Sequence, residues 1–422
     1  MHIGRAVVTV LGGDGRKKIV VGCDPRASSP MLCCALAAGI CAAGADVVLL
    51  GVIPTPAVAY LTGRYGADAG IVVSASHNPA EYNGIKIFGR DGFKLPDALE
   101  AQIEALVETP EQRPGPTGGE IGRVTQYPHA VRDYTDHLKG TITGELRGLR
   151  IAVDCATGAA AQTAGRLFAE LGAEAVLLAD APDGVNINDR CGSLHLENLQ
   201  NYVIMHGMDA GIAFDGDADR CLCVDENGDE VDGDRVLAMC AADLVGRGEL
   251  PHRTLVGTIM TNFGLDAFCR ANDLRLIRAQ VGDRFVSEQM ELGGYTLGGE
   301  QSGHILFRAF ATTGDGQLTA LQVLSLMKRT GRKLSALAGC MTCFPQVMHN
   351  VPVSAEGKVK FYTNAAVQAA ISAAEAVLGE QGRMVVRPSG TEPLLRVMAE
   401  GADRAAIEAQ VEAVVKVIRA EL

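Results

Sequence analysis

The sequence has no excess of positive charge. Its 38 Lys and Arg stand against 50 Asp and Glu, a formal net charge of −12, which argues against a nucleic-acid partner because such proteins displace counterions with basic surface. An anionic ligand must therefore meet a local basic cluster. There is no secretion signal either: Met1-His2-Ile3-Gly4-Arg5 lacks both the charged and the apolar region of one, so the cytoplasm is the expected location. An unbroken apolar run long enough for a membrane is also missing. Leu32 to Pro54 comes nearest, but it contains Asp46, and Gly44 splits it into a small-residue helix (about Pro30 to Ala43) and a β-rich run, Val47-Val48-Leu49-Leu50. A buried helix followed by a buried strand is the better reading, with no membrane contact. The Gly-x-Ser-x-Gly elbow of a serine hydrolase is absent too.

What is present points to several domains, since 422 residues at 47% hydrophobic content exceed one ordinary core. Twelve cysteines without a signal read as reduced thiols, and no disulfides are expected. Cys340-Met341-Thr342-Cys343 has metal or redox spacing, yet no second pair and no neighbouring His. It is expected to be a buried structural feature, as are Cys33-Cys34 and Cys221/Cys223.

Strand-like and helical runs alternate from Lys18 to Val73, which indicates a right-handed, largely parallel α/β layer. The pattern restarts at Leu149 and again at Leu255. Asp68-Ala69-Gly70-Ile71-Val72-Val73-Ser74-Ala75-Ser76 reads against Asp209-Ala210-Gly211-Ile212-Ala213-Phe214-Asp215-Gly216-Asp217, and each is followed by a second strand, a turn and a helix. A third, weaker copy is Tyr295 to Ser302. Ligands favour the carboxyl ends of strands in open α/β sheets, so each repeat is expected to donate one loop to one cleft. The last part, with strands near Met384 to Arg387 and Leu394 to Met398 and a helix from Asp403, reads as a smaller α+β unit joined through Phe344 to Pro352. The fold class is thus three similar α/β domains with mixed, largely parallel sheets plus a smaller C-terminal α+β domain.

Four loops carry chemistry. Ser74-Ala75-Ser76-His77-Asn78-Pro79 places a small nucleophile after a buried strand and beside an imidazole; Ser74 reads as a plain loop hydroxyl, and Ser76 alone could be another. Asp215-Gly216-Asp217-Ala218-Asp219-Arg220 crowds three carboxylates, which repel unless a divalent cation sits among them. An EF-hand is the rival, with Glu226 at the twelfth position, but Arg220 occupies the required glycine position and a β-run follows. Gly298-Gly299-Glu300-Gln301-Ser302-Gly303-His304 suits sugar hydroxyls. Arg387-Pro388-Ser389-Gly390-Thr391-Glu392-Pro393, with Arg396 nearby, reads as a phosphate cradle. Asp24-Pro25-Arg26, Lys86 and Gly282-Asp283-Arg284 add charge near strand ends.

Taken together and in this order, the four loops resemble the α-D-phosphohexomutase family over nearly the whole chain. The resemblance implies domains at 1–137, 138–247, 248–348 and 349–422, and interconversion of sugar 6- and 1-phosphates. Glucosamine phosphate is the first-choice substrate. Glucose or mannose phosphate is the second, and a sugar-phosphate binding protein impaired in turnover is a further alternative. It implies a phosphorylated Ser76, one Mg2+ held by Asp215, Asp217, Asp219 and that phosphate, and a sugar 1,6-bisphosphate as intermediate or primer. His77, Lys86 and Arg220 would line the reacting end, and Glu300 and Ser302 would hold the sugar. Arg387, Ser389, Gly390 and Thr391 would grip the phosphate that is not transferred, with Arg26, Arg284, His304 and Arg396 completing the substrate set. A homodimer is allowed. Family members begin with a strand and a Gly/Arg loop ahead of the helix matched by Ile3 to Leu11; without that segment, one strand fewer in the first sheet and one basic side chain fewer in the cleft are expected.

Overall fold

The structure is a computed structural model that describes residues 1–13, 15–109, 115–379, 382–389 and 392–422. By contact density the chain forms two compact units, one of Met1–Thr258 and Ala279–Cys340, the other of Ile259–Arg278 and Met341–Leu422. Ile259–Arg278 thus belongs to the second unit and Ala279–Cys340 to the first.

In the first unit, β1 (Lys18–Cys23), β2 (Asp46–Val52), β3 (Ala69–Val73), β4 (Ile85–Gly89) and β5 (Val124–Gln126) form a sheet in the order β4-β3-β1-β2-β5. Only the β3–β4 pair is antiparallel. The apolar runs in β1 and β3 are buried on both faces, as central parallel strands must be. Ile19, Val21, Ile71 and Val73 pack with Leu36 and Ile40 of the helix Ser29–Ala42 and Val7 of the helix His2–Leu11. Each such side chain contributes roughly 1.5–3 kcal/mol of burial.

The second sheet repeats the plan. β6 (Arg150–Asp154), β7 (Glu174–Leu178), β8 (Ala210–Phe214), β9 (Cys221–Asp225) and β10 (Glu230–Val231) run in the order β10-β9-β8-β6-β7, with β8–β9 antiparallel. After β11 (Thr254–Thr258) and β12 (Arg275–Ala279), the weak third copy is real: β13 (Leu297–Gly299) pairs parallel with β11 and antiparallel with β14 (Ile305–Phe307).

In the second unit β15 (Gln346–Pro352), β16 (Gly382–Pro388) and β17 (Leu394–Gly401) make an antiparallel sheet in the order β15-β17-β16. The helix Arg404–Glu421 buries Val411, Val414 and Ile418 among the same residues as Leu395 and Val397 of β17. Phe344 to Pro352, read as a connection, is mostly the strand β15, in register with β17 from Gln346 to Pro352. All twelve cysteines are free. Cys34 and Cys340 are exposed rather than buried, whereas Cys221 and Cys223 lie in the core. Among the described residues no helix is long and apolar enough to cross a membrane.

Candidate active site

The nucleophile loop starts where β3 stops. Ser76 has φ 51, a left-handed backbone that a residue with a Cβ adopts only under constraint. The constraint is visible. Ser74 Oγ accepts the Ser76 N–H at 2.9 Å and donates to Asp24 Oδ2 at 2.7 Å, so Ser74, read as a plain hydroxyl, is a strut of the loop. Arg26, expected at the substrate, is fully buried (0% exposed) and spends its fork on the loop from behind. Its Nε donates to Asp24 at 2.8 Å, Nη2 to Ser76 O at 3.0 Å and Asn78 O at 2.8 Å, and Nη1 to Tyr82 O at 2.9 Å and to Pro79 O. No donor is left to face a ligand, because unpaired loop carbonyls in the interior are costlier than a distant anion contact. Asn188, which the sequence did not single out, adds donors to Ser76 O (2.9 Å) and Asn78 O (3.0 Å).

The carboxylate loop follows β8 at the corresponding place in the repeat. Asp215, Asp217 and Asp219 are buried, and one oxygen from each lies within 4.8 Å of the others. Ser76 Oγ donates to Asp215 Oδ2 at 2.6 Å, which joins the two repeats. Their approach needs Gly216, where a Cβ would stand 2.6 Å from Ser76 O. Lys86, on β4, donates to Asp217 Oδ2 at 2.7 Å and Asp219 Oδ2 at 3.1 Å. Thr55, a second residue the sequence did not flag, donates to Asp217 Oδ2 at 2.5 Å.

The electrostatics are those of a cluster short of positive charge. Burial, with the charges of Asp219 and Asp217, pushes Asp215 up to about 8. Burial opposes ionisation of Asp219, but Lys86 and His304 outweigh it and hold that carboxyl well below its usual range. Burial also opposes the Lys86 ammonium, which Asp217 and Asp219 keep protonated. Asp217 Oδ1 and Asp219 Oδ1 are buried without a hydrogen-bond partner. Orphaned hard oxygens inside a three-carboxylate cluster fit a small divalent cation such as Mg2+. Glu226 takes no part; it accepts from Ser335 instead, which disposes of the EF-hand alternative.

Around this centre His77 Nδ1 lies 3.4 Å from Ser76 Oγ, with burial and Arg220 lowering its pKa. Arg220 Nε and Ser302 Oγ are buried and unbonded. Glu300 Oε1 accepts the Gly282 N–H at 3.0 Å. His304, expected at the sugar, is 3% exposed and sits between Asp219 (3.6 Å) and Asp283 (3.7 Å). Its Nε2 lies 3.2 Å from Gly314 N, burial opposes its charge but Asp219 and Asp283 raise its pKa, and the imidazole braces the carboxylate loop. Arg284 pairs with Glu288 at 2.8 Å and with Asp97.

The phosphate-cradle residues lie in the second unit. Arg387 and Arg396 face each other across β16 and β17, each with a buried, unbonded Nε, and burial together with Arg396 lowers the Arg387 pKa. Opposed like charges destabilise a sheet unless an anion joins them. Ser389 Oγ accepts the Glu392 N–H at 3.1 Å, and Arg396 pairs with Glu392 at 3.0 Å. Gly390 and Thr391 lie outside the described residues.

Repeated α/β layers and this donor set define a phosphosugar mutase, an isomerase. Phosphoglucomutase/phosphomannomutase domain families match along the chain: alpha/beta/alpha domain I at residues 1–114, II at 132–228, III at 232–344 and the C-terminal domain at 348–417. The chain belongs to the phosphoglucomutase/phosphomannomutase family. It is 53% identical to phosphoglucosamine mutase of Symbiobacterium thermophilum and 50% identical to that of Caldanaerobacter subterraneus subsp. tengcongensis, over 100% of this chain and 94% of each relative. A family protein from Burkholderia thailandensis superposes with TM-score 0.84 at 27% identity, covering 99% of this chain and 92% of that one. Aspergillus fumigatus N-acetylphosphoglucosamine mutase, solved with GlcNAc-6P and magnesium, shares the fold at TM-score 0.68 and 19% identity, covering 87% and 92%.

Proposed function

We propose that the chain interconverts glucosamine 6-phosphate and glucosamine 1-phosphate, carrying the phosphoryl group transiently on Ser76. The observation behind the chemistry is the Ser76 Oγ held 2.6 Å from Asp215 at the edge of the buried carboxylate cluster. The substrate rests on relatives about half identical over this whole chain that are phosphoglucosamine mutases.

Phosphoryl transfer needs positioning and charge neutralisation more than covalent help. In the first half, the Oγ–P bond of phosphorylated Ser76 breaks as the free sugar oxygen bonds to phosphorus, and the proton lost by that hydroxyl ends on Ser76 Oγ, giving a sugar 1,6-bisphosphate and free serine. The bisphosphate turns round in the cleft. Its other phosphoryl group then passes to Ser76 Oγ, and the isomeric monophosphate departs. The same bisphosphate primes an unphosphorylated Ser76. Asp215, Asp217 and Asp219 would hold a Mg2+ whose charge neutralises the transferring group. Lys86 and Arg220 set fixed positive charge beside the nucleophile, and His77 lies within reach of its oxygen. Glu300 and Ser302 are assigned to sugar hydroxyls and Arg387, Ser389 and Arg396 to the phosphate at rest. The twelve free cysteines support a cytoplasmic location.

The test pairs phosphopeptide mass spectrometry with turnover of glucosamine 6-phosphate. Phosphate on Ser76 and formation of the 1-phosphate are expected; neither, even after priming with glucose 1,6-bisphosphate and Mg2+, refutes the reading. Specificity constants for glucosamine, glucose and mannose phosphates test the substrate, and a preference for mannose rejects it.

A further inference from the structure

A cavity of about 690 Å³ opens in the first unit, lined by none of the residues assigned above to the reaction. Its walls are the helix Thr55–Arg64, the turn after β4, the helix Ala130–Lys139 and the segment after β14. Two features set its chemistry. The first is an aromatic wall: Tyr60 and His137 stack on each other with centroids 3.9 Å apart and planes 12° apart, and Phe310 lines the same cavity. His137 Nε2 donates to Phe310 O at 3.0 Å, and burial lowers the ring's pKa, which favours the neutral imidazole.

The second feature is positive charge. The Arg308 guanidinium lies over the Phe93 ring at 4.7 Å, has a buried Nη1 with no partner, and pairs with no carboxylate among the described residues. A ring face orients a guanidinium but does not satisfy its donors. Arg64 supplies a second guanidinium, half exposed, whose Nε pairs with Asp133 at 3.8 Å. Two acids also line the cavity. Asp315 is buried against Tyr134 Oη at 3.0 Å, and Asp91 Oδ1 accepts the Phe93 N–H at 3.1 Å.

We propose that this cavity binds a nucleoside phosphate, the base against the outer face of the Tyr60–His137 stack and the phosphate on Arg308 and Arg64. Inorganic phosphate alone would leave the aromatic wall unused, and a neutral ring would leave Arg308 without an anion. The helix that carries Tyr60 and Arg64 begins at Thr55, whose hydroxyl holds Asp217. One rigid element thus touches both the cavity and the carboxylate loop, and occupancy is expected to change turnover.

The experiment is calorimetric titration of the full chain with AMP and UMP, with inorganic phosphate and free nucleosides alongside, repeated at saturating glucosamine 6-phosphate. One saturable nucleotide site that survives the sugar phosphate is expected, weakened by about tenfold or more in Arg308→Gln. Turnover of that variant without nucleotide should equal wild type. No saturable binding, full competition by the sugar phosphate, or undiminished binding in Arg308→Gln overturns the proposal. Phosphate binding as tightly as the nucleotide overturns it equally, since the ring would then contribute nothing. If Arg308→Gln melts early, Arg64→Gln takes its place: weakened nucleotide binding upholds the proposal, and undiminished binding overturns it.

Discussion

Arg26→Lys separates a scaffold from a substrate contact. The native guanidinium makes five side-chain hydrogen bonds, one to Asp24 and four to the carbonyls of Ser76, Asn78, Pro79 and Tyr82. A lysine keeps the charge beside Asp24 but has only three donors on one atom. Asn188 still covers Ser76 O and Asn78 O, so the exposed deficit falls on Pro79 O and Tyr82 O. A bare buried carbonyl costs about 1–3 kcal/mol, and two partly buried ones put the loss at about 2–4 kcal/mol. Against a total stability of about 5–15 kcal/mol, the protein stays folded but the loop does not stay put.

Three readouts follow from that deficit. Thermal melting should fall by several degrees, and amides of residues 74–84 should exchange faster while those of β8 keep their protection. Turnover should drop by up to about a hundredfold, the cost of misplacing a nucleophile by roughly an ångström, with KM for the sugar phosphate nearly unchanged. The opposite pattern, a raised KM with melting and loop exchange as in wild type, would mean that Arg26 faces the ligand and would refute the reasoning.

Asp217→Asn should lower kcat by about a hundredfold or more while sugar-phosphate binding holds, because the cation acts on the transferring group; equal losses in kinetics and calorimetry count against the assignment. Thr55→Val should weaken Mg2+ affinity in a direct metal titration, with Thr55→Ser restoring it, since the lost donor fixes Asp217 Oδ2; an unchanged titration for the valine variant removes Thr55 from the site. Asp315 is pushed up to about 7, chiefly by burial. Its folded value lies above an unfolded one of about 3.9, so its contribution is fully present below that pH and is lost as pH rises toward 7, by at most about 4 kcal/mol. Asp315→Asn should therefore flatten chemical-denaturation stability over this window, and an unaltered slope contradicts the shift. Phosphate should raise the melting temperature relative to chloride at equal ionic strength, and Arg387→Gln should abolish the rise; equal shifts in both proteins dissolve the cradle.

The sequence exposed those parts of the site whose chemistry is written in residue type and spacing. Three acids on alternate positions have few uses, so Asp215, Asp217 and Asp219 were legible before any fold was known. Arg26 was legible only as a charge after a strand. Whether such a side chain turns toward a ligand or back beneath its own loop depends on where the carbonyls of Pro79 and Tyr82 arrive, more than fifty residues later. Thr55 and Asn188 gave no signal at all, because a threonine before a proline and an asparagine in a loop are ordinary in any α/β protein. Cys34 departs from expectation for a related reason: adjacent residues on a helix point about 100° apart, so Cys33 can enter the core while its neighbour faces solvent.

The repeat explains why so much could be read from so little. In each copy a buried strand ends in a loop and returns as an antiparallel strand: β3 to β4, β8 to β9 and β13 to β14. The hairpins carry Ser76, the three aspartates and Glu300 in their turns. Pairing fixes each turn at the same end of its sheet, so a change in turn sequence alters the chemistry without altering the scaffold. The contacts between copies bear the specificity of the arrangement. Gly216 must lack a side chain because Ser76 O approaches it, and Ser76 Oγ reaches Asp215 only because that approach is allowed. An alanine at Gly216 would therefore strike at the junction of nucleophile and cation site while leaving both hairpins intact. The smallest change in the carboxylate loop should have one of the largest effects on turnover.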